Sequence, residues 1–96
     1  MLQLLPQSEI FIPTSKSPVK TAECINSYIN STNCEKLSVD ISFMNLMDAC
    51  YVSTMCSTNH YIKYPDGQIC WYVSSKMTKE IASSLSLGNA EFQTLN

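Results

Sequence analysis

Charge is scarce in this sequence. Asp, Glu, Lys and Arg make up 15% of 96 residues, where about a quarter is usual. Ser, Thr and Asn take their place. The formal net charge is −2, which leaves no basic field for nucleic acid and no polybasic strip for a lipid surface. Glycine is scarcer still. Gly67 and Gly88 are the only two, which excludes glycine-rich phosphate loops and dinucleotide fingerprints. A single histidine, His60, and the lack of paired carboxylates leave little from which to build acid–base catalysis. No apolar run approaches the roughly 18 residues of a membrane span, and residues 1–6 lack the basic region of a signal peptide. The expectation is a non-enzymatic chain without a cofactor, bound neither to nucleic acid nor to a membrane.

What is present is apolar and sulfur-rich. Hydrophobic residues are 45% of the chain, enough for the core of one domain spanning residues 1–96. Five cysteines, Cys24, Cys34, Cys50, Cys56 and Cys70, form no CxxC pair. An odd number leaves one thiol over from any disulfide set, so a reducing cytoplasm with five free thiols is expected.

The apolar pattern alternates between two periods. Residues 9–12 form a short β-type run that stops at Pro13, and residues 2–5 are a candidate edge strand. Ser17 and Pro18 then read as N-cap and first helical residue. Ala22, Ile25 and Ile29 mark the buried stripe of a helix running to about Thr32. Leu37, Val39, Ile41 and Phe43 alternate with Ser38, Asp40 and Ser42, the mark of a strand covered on one face only. A second helix spans roughly 48–61, capped by Asp48, with Val52, Met55 and Cys56 inward. Tyr64-Pro65-Asp66-Gly67 is a turn in which Gly67 tolerates positive φ. A strand over 69–73 follows, then a helix over 76–87 with Met77, Ile81 and Leu85 inward and Gly88 as its stop. The last residues, 90–95, close the fold or fray. The order strand, helix, strand, helix, strand, helix implies a largely parallel α/β sheet.

The stretch from Leu37 to Cys50 resembles the signature of STAS domains, the bacterial anti-sigma-factor antagonist family. That signature is an apolar strand with Asp, a short loop, and Asp-Ser-Ser/Thr-Gly opening a helix. Asp40 and Asp48 stand at the two aspartates, and the resemblance extends from about Glu9 to Phe92. It implies a mixed sheet of four or five strands with helices mainly on one face. It also implies a cytoplasmic regulatory module whose partner is an anti-sigma-factor-like kinase or scaffold. The family's phosphorylated Ser or Thr is replaced by Ala49 and Cys50, and its Gly by Tyr51. No phosphoryl ester can form at those positions, which leaves Ser53 and Thr54 one turn later as substitutes. A degenerate, unphosphorylated module is expected, with Asp48, Ala49, Cys50 and Tyr51 at the centre of a partner-binding surface. Oligomeric state is left open.

Other chemistry has weaker support. Cys50 in a helix first turn would have its thiolate favoured by free N–H groups, which makes a thiol-dependent or small-molecule-binding protein the alternative. Asp48 opposes that effect, and an inert, partly buried Cys50 is the simpler expectation. Cys50, Cys56 and His60 form a Cys-x5-Cys-x3-His series that lacks a fourth zinc ligand. A Cys56–His60 nucleophile pair lacks a third group to orient the imidazole. Trp71 and Tyr72 read as packing residues rather than a base-stacking platform.

Overall fold

The computed structural model describes residues 10–94, so the candidate edge strand at 2–5 lies outside the described residues. The elements are β1 (Ile10–Phe11), α1 (Pro18–Ser31), β2 (Lys36–Asp40), α2 (Leu46–Lys63), β3 (Gln68–Val73), α3 (Lys76–Ser83) and β4 (Ala90–Thr94). The sheet order is β1-β2-β3-β4. Every pairing is parallel, with Val39 opposite Trp71 and Trp71 opposite Phe92. The expected mixed sheet is therefore corrected: among the described residues all four strands run the same way.

A sequential parallel order has a geometric consequence. Each crossover steps one strand in the same direction, so right-handed connections place every helix on one face. Burial follows this division. Leu37, Val39, Ile69, Trp71, Val73 and Phe92 point under the helices and are buried. Ser38, Asp40, Cys70, Tyr72 and Gln93 alternate with them on the uncovered face and remain half-exposed. The indole N–H of Trp71 donates to Ser57 Oγ of α2 at 2.9 Å, which ties the covered face to the central helix.

The helix boundaries follow from local chemistry. Ser17 caps α1 and accepts from the Lys20 N–H, with Pro18 in the first turn. At α2 the cap is Asn45, not Asp48: Asn45 Oδ1 accepts from the Asp48 N–H at 2.9 Å. The helix therefore starts at Leu46, and Asp48 supplies first-turn negative charge instead of the cap. Strand β2 stops at Asp40, whose carboxylate accepts from the Ser42 N–H at 2.9 Å and turns the chain. Phe43 consequently leaves the strand pattern and is exposed, while Ile41 stays buried.

Two other expectations change. Helix α3 ends at Ser83, and the left-handed residue beyond it is Ser86, with φ 57°, rather than Gly88. The Tyr64–Gly67 turn forms, with the Gly67 N–H donating to the Tyr64 carbonyl at 2.9 Å. Gly67 does not use positive φ there. It is needed for close approach, because a Cβ at that position would lie 2.5 Å from the Glu35 carbonyl oxygen.

Candidate functional site

Helix α2 is central in the helical layer, packed on α1 on one side and α3 on the other. Its α1 side is fixed by three contacts. The Cys56 thiol donates to the Ala22 carbonyl at 3.5 Å, and Asn59 Nδ2 donates to Asn30 Oδ1 at 3.3 Å. Lys63 Nζ reaches the carbonyls of Ile29 and Asn30 at the end of α1 and of its C-cap Thr32, at 2.8, 3.0 and 3.2 Å. On the other side, Asn89 Nδ2 donates to the Ser57 carbonyl at 2.9 Å.

The sheet-facing side of α2 carries Ala49, Val52, Ser53, Cys56, Ser57 and His60, all buried. Opposite them, on the outer side, stand Met47, Tyr51, Met55, Thr58 and Ile62, spaced at 4, 4, 3 and 4 residues. Met47 is 78% exposed, Ile62 72% and Tyr51 41%. No charged side chain interrupts this outer row. A solvated helix face normally carries charge, and a helix apolar all round is normally buried. Met55, expected inward, belongs to this outer row.

The expected inward stripe of α3 also turns out. Met77, Ile81 and Leu85 are exposed, and the buried residues are the smaller Thr78 and Ala82. Lys79 and Ser83 line a cavity against β4, on the edge side of α3. Residues 79 and 81 lie about 160° apart round a helix, so Met77 and Ile81 occupy the flank away from β4, and Leu85 lies beyond the helix end.

The residues expected at the centre of a partner surface separate here. Asp48 and Cys50 are half-buried and Tyr51 is exposed, but Ala49 is 1% exposed and faces the core. Ser53 is fully buried and donates to the Cys50 carbonyl, so it offers no phosphorylation site in the folded protein. Thr54 is half-buried. Cys50 is the fifth residue of α2, beyond the free N–H groups of the first turn, which removes the reason given for an activated thiolate.

All five cysteines are unpaired. Burial pushes the Cys56 thiol up to about 12. Burial and the neighbouring Glu91 raise Cys70, partly offset by a hydrogen bond with Tyr72. His60 is fully buried, and its Nε2 donates to the Cys34 carbonyl at 2.8 Å, since a carbonyl only accepts. No cluster of three metal-ligating side chains occurs among the described residues. Nor do the described residues contain a helix long and apolar enough to cross a membrane.

An open cavity of about 630 Å³ lies at the opposite end of α2 from Asp48, lined by Thr58, Tyr61, Asp66, Gly67, Leu87 and Asn89 among others. It adjoins the amino ends of β3 and β4. A ligand crevice at the carboxyl ends of parallel strands requires a reversal of strand order, and the order 1-2-3-4 has none. The outer row of α2, missed at the sequence level except for Tyr51, was signalled by its uncharged 4-4-3-4 spacing. Comparison with protein-family models, curated proteins and solved structures finds no match.

Proposed function

We propose that this chain is a non-catalytic protein-interaction module in the manner of the STAS family, acting in the bacterial cytoplasm through α2. Its partner is a protein of the anti-sigma-factor-like kinase or scaffold kind. Binding uses the amino end of α2, at Asp48, Cys50 and Tyr51, and continues along the outer row. The observation that carries this is the uncharged apolar outer face of the central helix. Contiguous exposed apolar surface of this extent marks an interaction site.

The module works without a phosphoswitch. Ala49 and Cys50 have no hydroxyl, and an Ala49→Ser side chain would be enclosed by the core. The experiment is site-specific photo-crosslinking in the source cell. A benzophenone side chain replaces Tyr51 in one variant and Ser27, on the polar outer face of α1, in another. Crosslinked protein is expected from position 51 and not from position 27. Equal yields, or none from position 51, would remove α2 as the docking element.

A further inference from the structure

We propose that the outer edge of β4, with the cavity between that edge and α3, binds an extended segment of a partner protein, which adds to the sheet as a further strand and sets an acidic side chain against Lys79. This site is separate from the outer face of α2 and does not rest on the role given to that face.

The backbone of β4 sets the class of ligand. The Ile69 N–H donates to the Asn89 carbonyl, and Ile69 lies beside Ala90 in the parallel register. Along a strand the backbone groups of alternate residues point to opposite edges. Glu91 and Gln93 therefore direct theirs to β3, and Phe92 directs its N–H and C=O outward, together with the Ala90 C=O and the Thr94 N–H. The Ala90 N–H is taken by the Leu87 carbonyl at 3.0 Å. Among the described residues the sheet ends here, and nothing pairs with this row. A row of donors and acceptors at every second residue is the pattern that another extended chain matches. The opposite edge differs. Strand β1 has two residues and Pro13 follows shortly after it, whereas β4 has five and holds neither proline nor lysine, two residues that protect sheet edges.

The cavity sets the side chains. It measures about 360 Å³ and is lined by Lys79, Ser83 and Leu87 on one side and by Phe92 on the other, among others. Every second side chain of an added strand would enter it. Leu87 and Phe92 give it an apolar wall. Lys79 is half-buried, and among the described residues no carboxylate pairs with its ammonium. Glu91 lies beside Cys70 on the uncovered face and accepts from Gln93 Nε2 at 3.0 Å. An acidic side chain of the ligand complements Lys79, and an apolar one two residues away meets Phe92.

The test selects random octapeptides displayed on phage against the immobilised full chain. The most enriched sequence is synthesised and its affinity measured by titration calorimetry. It is expected to carry an acidic and an apolar residue two positions apart, and to shift the amide NMR signals of Ala90–Thr94. N-methylation of alternate peptide residues removes the N–H groups of one edge only. One alternate set should abolish binding and the other should leave it unchanged. Lys79→Glu should weaken the acidic peptide about tenfold or more and favour a peptide with Lys in place of the acid. Thr94→Pro removes one outward N–H and no bond to β3, and should weaken binding about fivefold with circular dichroism unchanged.

Failure to enrich any sequence, equal effects of the two methylation patterns, or shifts confined to other elements would each overturn the strand addition. An enriched sequence without an acid, or affinity unchanged in Lys79→Glu, would overturn the role of Lys79. Crosslinking at position 51 reports on α2 alone, so the failure of one site is distinguishable from the failure of the other.

Discussion

Gly67 packs against the Glu35 carbonyl, the His60 ring and Tyr64 Cβ. A methyl group there meets backbone at 2.5 Å, and backbone cannot rotate away as a long side chain can. Gly67→Ala should therefore lose about 2 kcal/mol or more in urea unfolding; an unchanged midpoint would show that the 35–36 segment shifts freely. Cys56 makes a prediction with a sign. Its folded-state value is about 12 against 9.0 for the ordinary thiol. Above pH 9 the unfolded chain releases this proton and the folded chain keeps it, so the unfolded state gains. Stability from this residue is complete below pH 9 and is lost progressively from pH 9 to pH 12. Cys56→Ala should show a shallower alkaline loss than wild type, measured as unfolding free energy against pH.

At the scale of elements, the sequence was most readable where one face alone is apolar. Helix α1 and strand β2 show this: Ala22, Ile25 and Ile29, then Leu37 and Val39, are all buried as their periods require. Helix α2 has apolar residues on both faces, so its period could not say that Val52 and Cys56 go in while Met55 goes out. In α3 Met77 and Ile81 share one side, with Leu85 beyond the helix end, but periodicity reports that a stripe exists and not which neighbour it faces. Trp71 and Phe92 already fill the space above the sheet, so the smaller Thr78 and Ala82 fit there. The cap of α2 was placed three residues late because Asp48 and Asn45 are both good capping residues. Of the proposed site, Tyr51 was legible as an exposed aromatic, whereas the burial of Ala49 and Ser53 depended on where the helix begins. Two interelement contacts give measurable effects. Ser57→Ala leaves the buried Trp71 N–H without its acceptor, which should cost about 1–3 kcal/mol. Lys63→Met keeps the alkyl stem but removes the cation from two α1 carbonyls and that of the C-cap Thr32, and should cost about 1 kcal/mol, less at high salt. Urea unfolding at low and high salt checks both. A Ser57→Ala protein as stable as wild type would mean that Trp71 finds another acceptor.

For the whole molecule, two layers give the sheet unequal support. Strands β2 and β3 each have a paired strand on both sides, and their inward residues Val39, Ile69 and Trp71 are fully buried. Strand β1 is only two residues long, and among the described residues β4 has one edge unpaired. An edge strand breaks one ladder when it opens, whereas an inner strand must break two and uncover the core under α2. Opening free energies should therefore rise from the edges to the centre. In native-state hydrogen exchange, the Ile41 amide, which donates to the Tyr72 carbonyl, should exchange only through global unfolding. Its rate should climb with denaturant as steeply as the global transition does. The hydrogen-bonded amides of β1 and β4 should exchange faster, with little denaturant dependence, because local opening exposes little surface. Equal protection across all four strands would show that the edges do not open on their own. Such an outcome would require the edges to be covered by more than the described residues provide.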